Sequence, residues 1–288
     1  MTDIYAAVPG IAQSSSAQTS VVCEVLGVSR SAYYAWRERT PSERESRDTR
    51  LAQQIQAIFW NHRRRYGARR IAEELADQGE ICSPRKVAQL LSLQGLRAIQ
   101  PKSFVPKTTQ SRHRLGYSPN LLLEAPEPSS LNDLWVGDIS YVPLTDGRFC
   151  YLAVLTDRYS RRIVGWNVDQ SMTEELVIPA LQAAIRDRQP APMMIHHTDR
   201  GGQYAGGRYR AILRRAGSRQ SMSRADNCYD NAFMESCFGT LKTELEMTDY
   251  KHHRIARREI GEYIAYYNLN RKHSALGYLT PHQFELQE

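Results

Sequence analysis

The stretch LWVGDISYVPL, residues 134–144, decides the fold. It is apolar and β-branched around a single acid, Asp138, and therefore predicts a buried β-strand. Two further strand patterns follow directly, RFCYLAVLTDRYS at 148–160 and RRIVGWNVD at 161–169. Because only short turn signals separate the three, we expect them to form an antiparallel meander.

Towards the C-terminus the pattern alternates between helix and strand. We expect, in order, a helix at 173–186, a strand at 191–199, a helix at 207–216, a short strand at 218–223 and a helix from Asn231 to about Glu244, with Asp230 as its cap. Three strands followed by helix, strand, helix, strand and helix predict an α/β fold, a mixed five-stranded sheet with flanking helices.

The front third of the chain is predicted to be helical. Residues 1–19 are small and polar, and we expect them to be poorly ordered. Residues 20–36 fit helix, turn, helix, with Gly27 in the turn and Ser29 as a cap, although a plain helical hairpin fits equally well.

A second helical unit is more distinct. Helices are expected at 48–62 and 68–78, and a third begins at Ser83-Pro84 and ends before Gly95. We therefore divide the chain into a tail with a first helix-turn-helix (1–46), a three-helix unit (47–105), a linker rich in Pro, Ser and Thr (106–130), the sheet domain (131–248) and a C-terminal helical extension (249–288).

Charge is concentrated in this helical front. The chain carries a net charge of +7, but residues 28–115 alone carry +10 and residues 116–288 carry −1. A basic unit of this kind suits a polyanion such as DNA. On its third helix, Arg85, Lys86 and Gln89 form a basic, amide-bearing edge that suits the major groove, and Arg30 is a further candidate contact in the first unit. The alternative is a small helical bundle with an ordinary polar surface.

Other classes of protein are disfavoured. No apolar run is long enough to span a bilayer, and the start lacks the layout of a secretory signal, so we expect a soluble, cytoplasmic protein. The five cysteines are scattered singly, which disfavours a disulfide framework or a cysteine-rich zinc site.

Three acids fall where the predicted sheet can bring them together. Asp138 lies within the first strand, Asp199 at the end of the fourth, and Glu235 in the last helix. An acid inside an apolar strand is costly unless it is paired or binds a cation. Lys242, seven residues after Glu235, projects from the same helix face. Taken singly, each has an ordinary alternative, a capping aspartate or a solvated lysine.

Four sequence words match one family. LWVGDISYV, HTDRGGQY, SMSRADNCYDNAFMESCFGTLKTEL and YNLNRKHSALGYLTPHQF resemble the transposases of the insertion-sequence-three family, in particular the product of the second reading frame. The match runs from about Val25 to Phe284. It departs from the family pattern in Gly137 (often Thr), Ser140 (Thr), Asp226 (Gly) and Cys237 (Phe), and none of these departures removes an acid.

The resemblance implies an RNase H-like integrase catalytic core in which Asp138, Asp199 and Glu235 are metal ligands. It implies that the chain cuts transposon ends and joins the 3′-OH to target DNA, as a homo-oligomer on bacterial DNA and with an upstream reading-frame partner or fusion. We expect two Mg²⁺ (or Mn²⁺) ions, about 3.5–4 Å apart, with Lys242 on a DNA phosphate. Two rivals are a nuclease of the same fold that cleaves without joining, and a non-enzymatic DNA-binding regulator.

Two features are left with open roles. His196 and His197 precede Asp199 on a strand and point to opposite faces, so at most one faces the acids, and packed histidines are favoured. The C-terminal stretch begins as an amphipathic helix at 255–267. Its Arg258, Arg271, Lys272 and His273 are candidates for contacting DNA or a partner, and packing against the core is an equal alternative.

Overall fold

The computed structural model of the chain describes residues 2–101, 116–123, 125–224, 232–246 and 249–288. The expected cap at Asp230 and the added charge at Asp226 lie outside these residues, as does the first part of the predicted linker, residues 106–115.

The first three helices form a unit of their own. They are α1 (Thr2–Ser15), α2 (Thr19–Val25) and α3 (Arg30–Arg37). The predicted order of helix, turn and helix is present, with Gly27 at φ +67° and the Ser29 side chain accepting from the backbone N–H of Ala32. The expectation that residues 1–19 are poorly ordered was wrong, because α1 buries Val8 completely against α2 and α3.

The second helical unit comprises α4 (Glu43–Asn61), α5 (Ala68–Asp77) and α6 (Pro84–Leu93). Ser42 and Glu45 form a reciprocal capping box at the start of α4, so the predicted boundary between 46 and 47 falls inside that helix. Ser83 caps α6 with Pro84 at its first position, as predicted. The unit has its own apolar core, which includes Ile55, Ile71 and Val87.

The sheet has five strands in the order β3-β2-β1-β4-β5. They are β1 (Leu134–Pro143), β2 (Phe149–Asp157), β3 (Ile163–Asp169), β4 (Ile195–Thr198) and β5 (Arg219–Met222). The first three form the predicted antiparallel meander, while β4 pairs parallel to β1 and β5 parallel to β4. The predicted mixed sheet is confirmed.

Helices cover both faces of the sheet. On one face lie α7 (Glu174–Arg188), α8 (Gly202–Ala205) and α9 (Gly207–Arg215); on the other lie α10 (Ala232–Glu244) and α11 (His253–Leu269), followed by α12 (Pro281–Glu285). The short helix α8 was not predicted. Because α11 contributes buried residues to the core, the C-terminal extension packs back on the sheet. Within the described ranges, no helix is both long and apolar enough to cross a membrane.

Candidate active site

The pairing of β1 with β4 places two of the three acids side by side. Leu134 pairs with Ile195, Trp135 with His196 and Val136 with His197. Continued by two residues in a parallel register, the same pairing sets Asp138 opposite Asp199. Neighbouring strands lie about 4.8 Å apart, so the two carboxylates start from adjacent backbone positions.

Strand alternation determines the face of the sheet towards which the Asp138 side chain points. Leu134, Val136 and Val142 pack into the core formed with α10 and α11, whereas Trp135 packs into the core on the α7 face. Asp138 has the parity of the first set and therefore points towards α10. It is half-buried, and one of its oxygens accepts from the backbone N–H of Ile139 at 2.8 Å.

The helix α10 presents Lys242 and Glu235 beside that face. Its buried residues Met234, Phe238 and Leu241 contact the sheet, and the two charged residues lie about 20° apart on one flank. Burial lowers the pKa of Lys242, and the charge of Asp138 opposes this effect. The ammonium therefore lies within electrostatic range of the first acid. Glu235 is exposed in the first turn of α10.

The charges of both aspartates act on Tyr204. Its side chain is buried, and this burial is the main cause that raises the pKa of its hydroxyl. The charge of Asp199, and to a smaller extent that of Asp138, raises the pKa further. Its hydroxyl has no hydrogen-bond partner among the described residues. Sequence reasoning missed this residue, because a tyrosine after HTDRGG carries no signal that its hydroxyl lies near two carboxylates.

The two histidines before Asp199 point to opposite faces, as expected. His196 lies on the α9 face, where its Nε2 is 2.7 Å from the Tyr209 hydroxyl. His197 lies on the other face, with Nδ1 2.8 Å from Ser221 Oγ and Nε2 3.2 Å from Ser223 Oγ. Both are fully buried, so each packs in the core of the sheet. The Asp199 carboxylate itself accepts from the Gly201 N–H at 2.9 Å, which turns the chain into α8.

A divalent cation fits the aspartate pair. Carboxylate oxygens are the ligands that hard cations prefer, and a buried hydroxyl with no partner among the described residues is a natural site for a cation-bound water. Among the residues that the structure describes, no three His, Cys, Asp or Glu side chains converge closely enough to hold a metal. Within the described residues, the structure therefore does not bring Glu235 together with Asp138 and Asp199 as a three-carboxylate cluster.

Some of the predicted DNA contacts are exposed and others are partly or fully buried. Arg85 and Gln89 are exposed on α6, and Arg30 is exposed at the start of α3. Lys86 is only half-exposed, and its ammonium pairs with Asp48 of α4 at 2.6 Å. That ion pair joins two helices of the same unit, so Lys86 has a structural role in addition to any contact with phosphate.

Arg271, a predicted DNA contact, is buried rather than exposed at the surface. Its side chain is 6% exposed and forms a two-pronged ion pair with Glu244, with Nε and Nη2 at 2.9 and 2.7 Å from Oε1. Burial acts to lower its pKa, but the hydrogen bonds and charge of Glu244 outweigh this effect and raise it. Lys272 is likewise buried and pairs with Asp77.

Comparison with known proteins gives a consistent set of matches. Family models match as an integrase core domain over residues 128–228, a second integrase core domain over 216–281 and an HTH-like domain over 46–104. The chain is 42% identical over 269 residues to the insertion element IS600 uncharacterized 31 kDa protein of Shigella sonnei, covering 91% of this chain and 97% of that protein. It is 40% identical over 268 residues to transposase InsF for insertion sequence IS3A of Escherichia coli K12, covering 92% of each. A solved catalytic core of HTLV-2 integrase in complex with magnesium overlaps 54% of this chain and 96% of its own, at 16% identity and a TM-score of 0.43.

Proposed function

Because this chain belongs to the insertion-sequence-three family of transposases, we propose that it cuts DNA at the ends of its element and joins the freed 3′-OH to target DNA. The chemistry is assigned to a two-metal centre held by Asp138, Asp199 and Glu235. The ions are Mg²⁺ or Mn²⁺, which take oxygen ligands.

The observation that carries this proposal is the register of β1 and β4. Extended by two residues, this register would set Asp138 on β1 opposite Asp199, which follows the end of β4. The charges of both aspartates act on the buried Tyr204, which supports their lying near each other. Two carboxylates at adjacent backbone positions repel each other, and a cation between them removes the repulsion. Glu235 supplies the third carboxylate from the exposed flank of α10.

The protein groups have distinct tasks. Asp138 starts from a paired position in β1, and Asp199 follows directly after β4, where it accepts from the Gly201 N–H, whereas Glu235 projects from the first turn of α10. When bound, the two ions supply Lewis acidity to the attacking and leaving oxygens of the phosphodiester. Lys242 places a positive charge beside Asp138, where a phosphate flanking the cut would approach.

The helical front supplies DNA binding in this proposal. Exposed Arg85 and Gln89 lie on the third helix of the HTH-like domain, the position from which such units contact the major groove. Joining two element ends requires two active sites close together, so we infer that the chain works as an oligomer on DNA.

The test is cleavage and joining of end-labelled DNA that carries the element's terminal sequences, in Mg²⁺ and after chelation. We expect Asp138→Asn, Asp199→Asn and Glu235→Gln each to lower cleavage by more than about a hundredfold, beyond what loss of an outer partner of a metal site costs. The matched control is Asp187→Asn, because Asp187 is an exposed acid paired with Arg186. It should cut normally.

Other outcomes separate the rivals. Cleavage without strand joining would indicate a nuclease of the same fold. Specific binding of the ends without any metal-dependent cutting would indicate a regulator. Near-normal cutting by any of the three acid variants would remove that residue from the proposed centre.

A further inference from the structure

Residues 266–273, YYNLNRKH, include part of one of the stretches that resemble the family. They lie where three parts of the molecule meet, and we call them the joint segment. Its first anchor is the sheet. The Asn268 side chain accepts from the backbone N–H of Ile163 and donates to the Ile163 carbonyl, both at 2.9 Å. This paired bond fixes the end of α11 to the start of β3.

The second anchor is the helix that carries the proposed active-site residues. Arg271 pairs with Glu244, the last residue of α10, and both side chains are less than 8% exposed. The Tyr263 hydroxyl donates to the same carboxylate at 3.1 Å. The partner charge and the hydrogen bonds offset the burial of this ion pair, so the end of α10 is held in one place.

The third anchor is the HTH-like domain. The Tyr66 hydroxyl, fully buried, donates to the Asn270 carbonyl at 3.0 Å and accepts from the Lys272 N–H at 2.7 Å. Arg70 Nε donates to the Lys272 carbonyl at 3.0 Å, and the Lys272 ammonium pairs with Asp77 at 2.6 Å. Three residues of the HTH-like domain thus bond to two residues of the joint segment, Asn270 and Lys272.

The HTH-like domain also contacts α10 directly. Arg65 Nε donates to the Glu244 carbonyl at 3.1 Å, and Arg70 lies 3.8 Å from the Glu244 carboxylate. Lys242 is two residues from this contact and Glu235 nine residues, or about 13 Å along the helix. The domain proposed to bind DNA and the helix proposed to act on it therefore share one buried contact.

We propose that the joint segment fixes the distance between the DNA bound by the HTH-like domain and the active site, and that Tyr66 is its positioning residue. This inference rests on the proposed function for its consequence, which is cutting at one defined phosphate. Placement matters in this way because a misplacement of about 1 Å at a reacting centre can lower a rate about a hundredfold.

Tyr66→Phe isolates the contact. It keeps the ring, which stacks on His62 at 3.8 Å within the HTH-like domain, and removes only the hydroxyl that bridges to the joint segment. The first readout is amide hydrogen exchange of the DNA-free chain. We expect the Lys272 amide to exchange about tenfold faster, since it loses its acceptor, while exchange in α6 and β1 is unchanged.

The second readout is the position of cuts on labelled end DNA. We expect Tyr66→Phe to bind ends as well as the unmodified chain, to cut the main phosphate about tenfold more slowly and to spread cuts over neighbouring phosphates. The matched control is Tyr151→Phe, whose hydroxyl makes no hydrogen bond to a described residue and lies on the α7 face of the sheet. It should cut at one position.

A charge reversal separates positioning from loss of folding. Asp77→Lys places two ammonium groups together and should also spread the cuts, whereas Asp77→Lys with Lys272→Asp restores opposite charges and should restore one position. Unchanged Lys272 exchange in Tyr66→Phe, or unchanged cut positions in both single variants, would overturn the inference. Failure of the unmodified chain to cut would overturn the proposed function instead. The hydrogen-exchange experiment would still test whether Tyr66 holds the joint segment.

Discussion

Gly137, directly before Asp138, is the position at which a small change should disturb the active-site strand most specifically. A Cβ built there would lie 3.1 Å from His196 Cε1 and 3.4 Å from Thr198 Cγ2. The His196 ring has little freedom to move, because it is fully buried and hydrogen-bonded to Tyr209. The family often has Thr at this position, so Gly137→Thr is the informative substitution.

The expected cost follows from two opposing effects. Adding atoms to a filled core costs about 1–3 kcal/mol. Replacing a glycine returns about 0.4–1 kcal/mol, because the unfolded chain loses freedom. We therefore expect Gly137→Ala to be close to neutral and Gly137→Thr to lower the free energy of unfolding by about 1–2 kcal/mol.

A second substitution tests whether His196 is the cause. His196→Ala alone leaves the buried Tyr209 hydroxyl unpaired and costs about 1–3 kcal/mol. In the Gly137→Thr background the threonine can occupy part of the space left by the ring, so the double variant should be more stable than the sum of the two by at least about 1 kcal/mol.

The assay is urea unfolding followed by circular dichroism, with all four members of the cycle measured at pH 7. Strand cleavage is measured in parallel, because movement of β1 also moves Asp138. Additivity of the two substitutions within about 0.5 kcal/mol would show that the ring does not limit this position.

Three further predictions concern other parts of the chain. Burial holds the pKa of His196 at about 3, below its value of about 6.5 in the unfolded chain. The stability that comes from burying the neutral ring is therefore complete above pH 6.5. It is lost as the pH falls towards 3, because the unfolded chain takes up the proton first. At pH 5 the loss is about 2 kcal/mol, and His196→Gln should flatten the profile of unfolding free energy between pH 7 and 5; an unchanged profile would contradict this. Glu244→Gln should lower the free energy of unfolding in urea by about 3 kcal/mol, because it leaves Arg271 buried without its counter-charge. Adding Arg271→Met should recover much of that loss. No change in stability on Glu244→Gln would show that the pair is unimportant. Arg85→Ala should weaken binding of end DNA and reduce the salt dependence of log K by about one, as measured by fluorescence anisotropy; an unchanged slope would place Arg85 away from phosphate.

Local patterns were sufficient to predict most of the sheet. The apolar run around Asp138 and the turn signals on either side gave β1 to β3, and helix caps such as Ser83 placed α6 to within a residue. These features depend on neighbours in sequence. The alignment of Asp138 with Asp199 depends on how β4 pairs with β1, which spacing permits but does not determine.

The misses share a physical cause, which is burial against distant partners. α1 contains Pro9 and several small residues, so only its packing on α2 and α3 reveals that Val8 is buried. The HTDRGGQY word contains adjacent glycines that suggest a turn, yet α8 follows at once. Arg271 was a candidate contact for DNA or a partner, with packing against the core as an equal alternative, and only the position of Glu244 explains its burial.

The joint segment also changes the meaning of the charge distribution. The excess of +10 in residues 28–115 suggested a broad polyanion-binding surface. Part of that charge is committed elsewhere: Arg70 lies near Glu244, Arg64 pairs with Glu246, and Lys86 pairs with Asp48. Since only charges that meet phosphates release counterions, the salt dependence of DNA binding should reflect exposed groups such as Arg85, and should be weaker than the net charge implies. The basic front is therefore in part the complement of acids at and just after the end of α10, so some of its charges hold the HTH-like domain against the helix that carries Glu235 and others remain exposed for DNA.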